Sequence, residues 1–95
     1  MITSPDNLKL KEVRQLGRRV ARTKLGLFTA EGEDLVLAAE QAGWVARSVF
    51  VPGSTPSSMP ESLRPIPVED KLLAEHSQLG SSTRALAVYK QRWTE

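Results

Sequence analysis

The stretch GLFTAEGEDLVLAAEQAG, residues 26–43, decides the fold of this chain. Its first part, residues 27–30, is apolar or β-prone and is bounded by Gly26 and Gly32, which predicts a short buried strand. The pair Glu31-Gly32 breaks this strand with a sharp turn. A second element therefore begins immediately after the turn.

This second element is predicted to be a helix that ends at Gly43. Glu33 and Asp34 put negative charge in its first turn, where the helix dipole favours anions. Gly43 suits the position just after a helix. A stripe of small and apolar residues predicts the face that packs on a sheet: Leu35, Ala38, Ala39 and Ala42. The strand, turn and helix together are typical of an α/β domain.

Length and composition restrict the class of protein. Ninety-five residues make one small domain, with room for a core but not for a deep enclosed active site as well. The chain has no cysteine, which excludes disulfides and thiolate metal sites and fits a reducing cytoplasm, the expected compartment. No apolar run approaches the roughly 20 residues of a membrane span, and the N-terminus lacks the apolar region of a signal peptide.

The charge of the chain is unevenly distributed. Residues 1–24 contain seven Lys or Arg against two acids, a net charge of +5. The remaining residues contain six basic and nine acidic side chains, a net charge of −3. A basic arm on a mildly acidic domain indicates a polyanionic partner.

The basic arm is predicted to form one helix, with Ser4 as N-cap and Pro5 in the first turn, continuing to about Arg22. Its buried row is predicted to be Leu10, Val13, Leu16 and Val20. Four cations fall within roughly 80° of one another on the opposite side, at about 100° per residue: Lys11, Arg14, Arg18 and Arg22. Gly17 weakens this helix in the middle.

Two interpretations of the basic face remain open. One is that the face is only solvated, as charged helix faces commonly are. The other is contact with phosphates, because four cations without an acid among them repel one another unless a polyanion relieves the repulsion. The guanidinium fork of Arg suits phosphate oxygens. Few aromatic residues are interspersed, so base stacking on this helix is not expected.

The rest of the chain predicts three strands and one helix. A strand runs from Trp44 to Val51, and a Pro-, Gly- and Ser-rich loop follows at residues 52–60. Residues 66–68 form a brief edge strand because prolines limit their pairing. A helix is predicted at residues 69–79, with Gly80 at its end, and the last strand at residues 85–89.

Two separated motifs resemble the substrate-binding domain of SpoU/TrmH-type RNA ribose 2′-O-methyltransferases. The opening fits that family's I-T-S-x-x-N-x-x-x-K pattern, with Asn7 and Lys11 in place. The second motif matches at Gly26, Leu27, Phe28, Glu31, Gly32, Val36 and Gly43. The chain departs from the family before its last strand, where the relatives often carry a D-T-x-x-P-Q-G run. Any site on that loop, Arg84 included, depends on a motif that this sequence lacks.

The resemblance implies a small three-layer α/β sandwich, L30e-like, with helices on a mixed sheet of about four strands. Residues 1–90 would be an RNA-binding, substrate-recognition domain, and residues 91–95 the start of a linker to an absent C-terminal methyltransferase domain. That knotted domain binds S-adenosylmethionine and carries the catalytic Arg in the family. The chain itself would therefore hold no catalytic residue and no cofactor. The parent protein would be a homodimer acting on ribosomal rather than transfer RNA.

The residues expected to contact RNA lie mainly in the basic arm. They are Asn7, Lys11, Arg14, Arg18, Arg19, Arg22, Lys24, Glu31 and Arg84. Glu31 has two interpretations, a turn carboxylate that holds backbone N–H groups or a polar contact to a ribose or base. His76, the single histidine, is expected to be structural, and without a second His or a Cys no metal site is predicted.

Two other functions compete with RNA binding. The basic helix could dock on a protein partner or on another copy of the chain, in which case binding would respond little to salt. An independent small enzyme finds no support, because no nucleophile–base pair, phosphate-cradling loop or paired catalytic carboxylates stand out.

Overall fold

The computed structural model describes residues 1–54, 59–77 and 84–90. Four helices and four strands are found there, with one turn of 3₁₀-helix. In chain order they are α1 (Leu8–Gln15), α2 (Arg19–Leu25), β1 (Leu27–Glu31), α3 (Glu33–Gln41), β2 (Ala46–Pro52), the 3₁₀ turn (Glu61–Leu63), β3 (Ile66–Val68), α4 (Asp70–His76) and β4 (Leu86–Lys90). None of these helices is long and apolar enough to cross a membrane.

The strands form one mixed sheet in the order β1-β4-β2-β3. The central strand β4 is antiparallel to both β1 and β2, whereas β3 pairs parallel with β2 at the edge. Extended residues at the N-terminus cover part of that edge, because the Ile2 N–H donates to the Pro67 carbonyl at 2.8 Å. The predicted mixed sheet of four strands, with a brief edge strand at residues 66–68, is confirmed.

Helices cover both faces of the sheet. The side chains of β4 alternate, with Leu86 and Val88 facing one core and Ala87 and Tyr89 facing the other. The first core lies under α1 and α4, and the second lies under α3 and the 3₁₀ turn. The predicted three-layer sandwich is therefore confirmed.

The predicted packing face of α3 is confirmed at Ala39, which packs against the second core, and wrong at its other three residues. Leu35 is 54% exposed, and Ala38 and Ala42 are also exposed, whereas Val36 is fully buried at 0%. The helix follows directly on Gly32, whose φ of 101° turns the chain sharply, and its first bond runs from the Val36 N–H to the Gly32 carbonyl. This start sets the rotation of the helix so that Val36 faces the sheet.

The predicted end of α3 is confirmed. Gly43 has a φ of 85°, the left-handed conformation that glycine adopts without strain. The next N–H, that of Trp44, reaches back to the Ala39 carbonyl at 3.0 Å, and the Gly43 N–H donates to Glu40. This pattern satisfies carbonyls of the last turn and is the Schellman arrangement.

The basic arm forms two helices, not one. Asn7, not Ser4, is the N-cap of α1, and its Oδ1 accepts from the Lys9 N–H at 2.9 Å. α1 ends because Gly17 and Arg18 tighten into 3₁₀-type bonds, and Arg18 then turns to an extended conformation. The rotation of the second helix therefore differs from that of the first, and Val20 is 79% exposed instead of buried.

The last predicted helix is also shorter than expected. α4 ends at His76, and Ser77 is extended with φ −87° and ψ 141°, so the predicted continuation to residue 79 is wrong at residue 77. Residues 55–58 of the predicted loop, the predicted helix end at Gly80, residues 81–83 and the predicted linker at 91–95 lie outside the described residues.

Candidate nucleic-acid interface

The break between α1 and α2 opens a groove of about 670 Å³ between the two helices. Because Leu16 is 1% exposed and belongs to the core, the chain is held to the domain at the break while α2 lies further out. α2 itself has no buried residue. We call this depression the basic groove; its lining consists of Lys11, Arg14, Gln15, Arg18, Ala21, Lys24 and Leu25.

Of the six cations predicted in the basic arm, four line the basic groove and two do not. Lys11 and Arg14 come from α1, Arg18 from the break and Lys24 from α2. Arg19 and Arg22 lie on α2 but outside the lining, because the break rotates this helix relative to the first. The periodicity of the sequence placed Arg22 on the same face as Lys11. It could not predict that Lys24, instead of Arg22, lines the groove.

Arg14 is held in a fixed orientation within the groove. Its guanidinium donates to the Pro5 carbonyl at 2.9 Å and lies 2.7 Å from His76 Nε2. His76 Nδ1 is 2.8 Å from the Leu72 carbonyl, which can only accept, so Nδ1 carries the proton and Nε2 accepts from Arg14. His76 thus orients Arg14, a cation of the groove. Because the two residues are 62 positions apart in the chain, the sequence did not predict this contact.

In the described part of the chain, no acid forms an ion pair with a groove cation. Within residues 1–54, 59–77 and 84–90 the two ion pairs are Arg47–Glu12 and Arg84–Glu33. Glu12 is the acid of α1, and it accepts two hydrogen bonds from Arg47, at 2.9 and 3.2 Å. This contact raises the pKa of Arg47 above its usual value, mainly through the hydrogen bond to Glu12. The basic groove therefore keeps its positive charge.

The charges of α2 also oppose its helix dipole at one end. Arg18 is the N-cap and Arg19 the first helical residue, and the first turn contains no acid. Cations there meet the positive end of the dipole, which is unfavourable. Arg22 and Lys24 in the last turn are favourably placed. Arg18 lines the groove although a cation is unfavourable at this end of a helix. Such a departure from local stability is typical of a functional surface.

The remaining predicted contacts lie away from the groove lining. The Asn7 oxygen caps α1 and is thereby occupied. Glu31, at the end of β1, accepts a hydrogen bond from the Ser77 hydroxyl at 2.7 Å. Because Ser77 directly follows His76, Glu31 and Arg14 are tied to neighbouring residues at the end of α4. Arg84 lies over the start of α3, with Nε 3.7 Å from Glu33 Oε1.

Other chemistry finds little support in the described part of the chain. No three His, Cys, Asp or Glu side chains there gather in a way that could hold a metal ion. The described titratable groups whose pKa departs from its usual range lie outside the groove. Besides Arg47 they are Asp70, lowered mainly by the hydrogen bond from the Ser54 hydroxyl, and Tyr89, raised mainly by burial. The cations that line the groove can bind an anion.

The sequence pattern of one protein family, described as the MRM3-like substrate-binding domain, matches residues 7–87. This range covers most of the chain, and the chain therefore belongs to the MRM3-like substrate-binding-domain family. The resemblance read from the two sequence motifs is confirmed. No match is found among curated protein sequences.

Solved structures with the same fold come from methyltransferases. An rRNA methyltransferase from Sinorhizobium meliloti matches 98% of this chain with a TM-score of 0.78 and 22% identity. The SpoU methyltransferase AviRb from Streptomyces viridochromogenes, solved with AdoMet, matches 94% with a TM-score of 0.72 and 21% identity. A structure titled RNA 2′-O ribose methyltransferase matches 99% with a TM-score of 0.79 and 19% identity. The chain spans only 37–38% of the length of these proteins.

Proposed function

We propose that this domain binds structured RNA for a ribose 2′-O-methyltransferase, and that the basic groove is where it holds the phosphate backbone. Ribosomal RNA is the proposed substrate class, because the similar protein from Sinorhizobium meliloti is an rRNA methyltransferase. Methyl transfer with S-adenosylmethionine, a C-terminal catalytic domain and a homodimer belong to the proposed parent protein. The cytoplasm is the proposed compartment.

The observation that carries the proposal is the set of four cations around one groove, none of which is paired with an acid among the residues that the structure describes. Phosphate oxygens are spaced along a backbone, and an open groove lined by fixed and flexible cations can contact several of them at once. Arg14, oriented by His76, offers a planar fork, whereas Lys11 and Lys24 offer adaptable point charges. Such contacts favour the shape of a structured RNA over its sequence.

The other predicted residues take lesser parts in this proposal. Arg19 and Arg22 add to the positive field without reaching into the groove. Glu31, beside Ser77, and Arg84, over the start of α3, would contact a ribose or base only where the RNA extends beyond the groove. Asn7 would act with its amide group, since its oxygen caps α1.

A protein-docking function is the alternative, and one observation favours it. α2 buries none of its side chains and exposes Val20 and, at 45%, Leu25. A partner that covers these apolar residues would complete the packing of the helix. The cations around the same helix make a polyanion the better occupant, because an apolar interface would have to bury unpaired charges.

The proposal is tested by comparing two charge reversals on neighbouring residues. Arg18→Glu removes a groove cation, whereas Arg19→Glu makes the same change in net charge on the same helix outside the groove lining. Both put an acid at the start of α2, where it suits the dipole, so neither should unfold the helix. Affinity for a fluorescently labelled rRNA fragment is measured by anisotropy at about 100 mM salt.

The groove account expects Arg18→Glu to weaken binding at least about tenfold more than Arg19→Glu, since it loses a contact and adds a repulsion. Equal, small effects of both variants would mean that only overall charge matters and would reject the groove as the binding site. Binding that is insensitive to both variants and to salt would favour the protein-docking alternative.

A further inference from the structure

A second groove, of about 480 Å³, lies on the other side of α1 and has a different character. It is bounded by the start of β2, the 3₁₀ turn and the start of β3. An adjoining depression of about 330 Å³ shares Lys9, Arg47 and Ser48 with it, so the two form one trough. We call this trough the Trp44 groove, after the aromatic residue in its lining.

The two grooves flank the same helix. On α1, Lys9 and Glu12 line the trough while Lys11 and Arg14 line the basic groove. At about 100° per residue these two pairs point to opposite sides of the helix. An RNA that crosses α1, about 10 Å wide, could therefore reach both grooves.

An aromatic ring is fixed in the lining of the Trp44 groove. Trp44 is partly exposed and packs at right angles to Phe28, with centroids 5.5 Å apart, and nearly at right angles to Tyr89, at 6.2 Å. Edge-to-face contacts of this kind are favourable and fix the ring orientation. An indole whose position is set before binding offers a stacking surface at little cost in conformational entropy.

Cations outnumber acids in the lining of the Trp44 groove. They are Lys9, Arg47 and Arg64, against the carboxylates of Glu12 and Glu40. Arg47 is held by Glu12, yet its side chain stays 58% exposed. Arg64 is exposed and has a φ of 49°, a left-handed conformation that side chains rarely adopt. The 3₁₀ turn thus projects an arginine at the rim where asparagine or glycine would be less strained.

We propose that the Trp44 groove binds one nucleotide of an unpaired RNA segment, with the base against Trp44 and its phosphate beside Arg64 and Lys9. An aromatic ring flanked by cations is the combination by which proteins hold single-stranded RNA. The volume lies within the range of ligand sites. This inference rests on the proposed RNA-binding function and adds a second, chemically distinct contact to it.

The test uses the intrinsic fluorescence of Trp44. The chain has two tryptophans, so the Trp93→Phe variant leaves Trp44 as the single reporter. This variant is titrated with short oligoadenylate and oligouridylate. A stacked base is expected to quench the emission in a saturable manner, and adenine, the larger base, more strongly than uracil.

Variants at the rim separate specific binding from general attraction. Arg64→Asn, in the Trp93→Phe background, removes the cation and suits the left-handed backbone, so the fold is preserved. It should weaken oligonucleotide binding severalfold and lower the slope of log K against log salt by about 0.7. Lys71→Asn, at an exposed position of α4 outside both grooves, is the matched control and should leave the affinity nearly unchanged. Trp44→Phe, which keeps a ring in the core, should also weaken binding.

The outcome distinguishes this inference from the proposed function. Saturable quenching that Arg64→Asn weakens supports it. Absence of quenching, or quenching that Arg64→Asn and Lys71→Asn change equally, overturns it even when the rRNA fragment still binds through Arg18. Loss of all RNA binding, structured and unpaired, overturns the proposed function as well.

Discussion

Replacing Leu16 with alanine should destabilise the domain strongly, whereas the same kind of truncation at Val20 should not. The sequence places both residues in one apolar row of one helix. In the structure Leu16 is 1% exposed and packs in the core with Leu10 and Val13, while Val20 is 79% exposed on α2. The pair of variants therefore tests the break that creates the basic groove.

The expected magnitudes differ widely. Truncation of a fully buried leucine to alanine costs about 2–5 kcal/mol, the lost transfer free energy plus the cavity left behind. This is a large fraction of the roughly 5–15 kcal/mol that stabilises a domain. Val20→Ala removes exposed surface only and gains helix propensity, so its effect should lie within about 0.5 kcal/mol and favour the folded state.

The assay is urea denaturation of each variant, followed by circular dichroism at 222 nm. A midpoint that falls markedly for Leu16→Ala and stays near wild type for Val20→Ala supports the broken helix. A cost for Val20→Ala comparable to that for Leu16→Ala would show that the arm is one continuous helix with both residues buried. The basic groove would then not exist in the form described.

Three further predictions concern other parts of the domain. Gly43→Ala should lower the free energy of unfolding by about 1–2 kcal/mol, because an alanine must adopt the left-handed conformation there, and Gly43→Asn should cost less when both are compared by thermal denaturation. Burial raises the pKa of Tyr89, so the folded state holds the phenol proton at pH values where the unfolded chain, with a pKa of about 10, has released it. Stability should therefore be full below pH 10 and decline as the pH rises toward the folded pKa, and the decline should be smaller in Tyr89→Phe. His76→Phe removes the acceptor that orients Arg14 and should weaken rRNA binding about 2–10-fold, as measured by anisotropy, with an unchanged circular dichroism spectrum.

Local signals predicted much of the fold. The strand, predicted at residues 27–30 and found at 27–31, the turn at Gly32 and the helix end at Gly43 were all evident because apolar runs bounded by glycines are strong short-range signals. The edge position of β3 followed from its prolines, which restrict pairing. These features depend on backbone chemistry within a few residues.

The rotation of the helices could not be predicted in the same way. In α3 two apolar rows were available, one with Leu35 and one with Val36, and the turn at Gly32 selected the second. In the basic arm Gly17 suggested a weak point, but periodicity alone does not tell a loosened helix from a broken one. The packing of Leu16 in the core decides whether the helix is loosened or broken, because it fixes the point at which α1 ends and the chain leaves the core.

Only the positive charge of the candidate site could be predicted from the sequence. The excess of Lys and Arg in residues 1–24 pointed to a polyanion before any geometry was known. The groove exists because the helix is broken, and Arg14 is oriented because packing brings His76 next to it. Neither feature could be predicted from local sequence. The Trp44 groove joins residues from four separate segments, and no local pattern could have assembled it.

The measurement that tests the central proposal most directly is the salt dependence of rRNA-fragment binding by the wild-type chain and by the double variant Arg14→Glu/Arg18→Glu. Contact of four groove cations with phosphates predicts that the wild-type affinity falls about 50–150-fold between 50 and 200 mM salt. The double variant should bind much more weakly. Its slope of log K against log salt should be lower by the amount that two phosphate contacts contribute. A wild-type affinity that ignores salt, or a double variant that binds as tightly as the wild type, would contradict RNA binding by the basic groove.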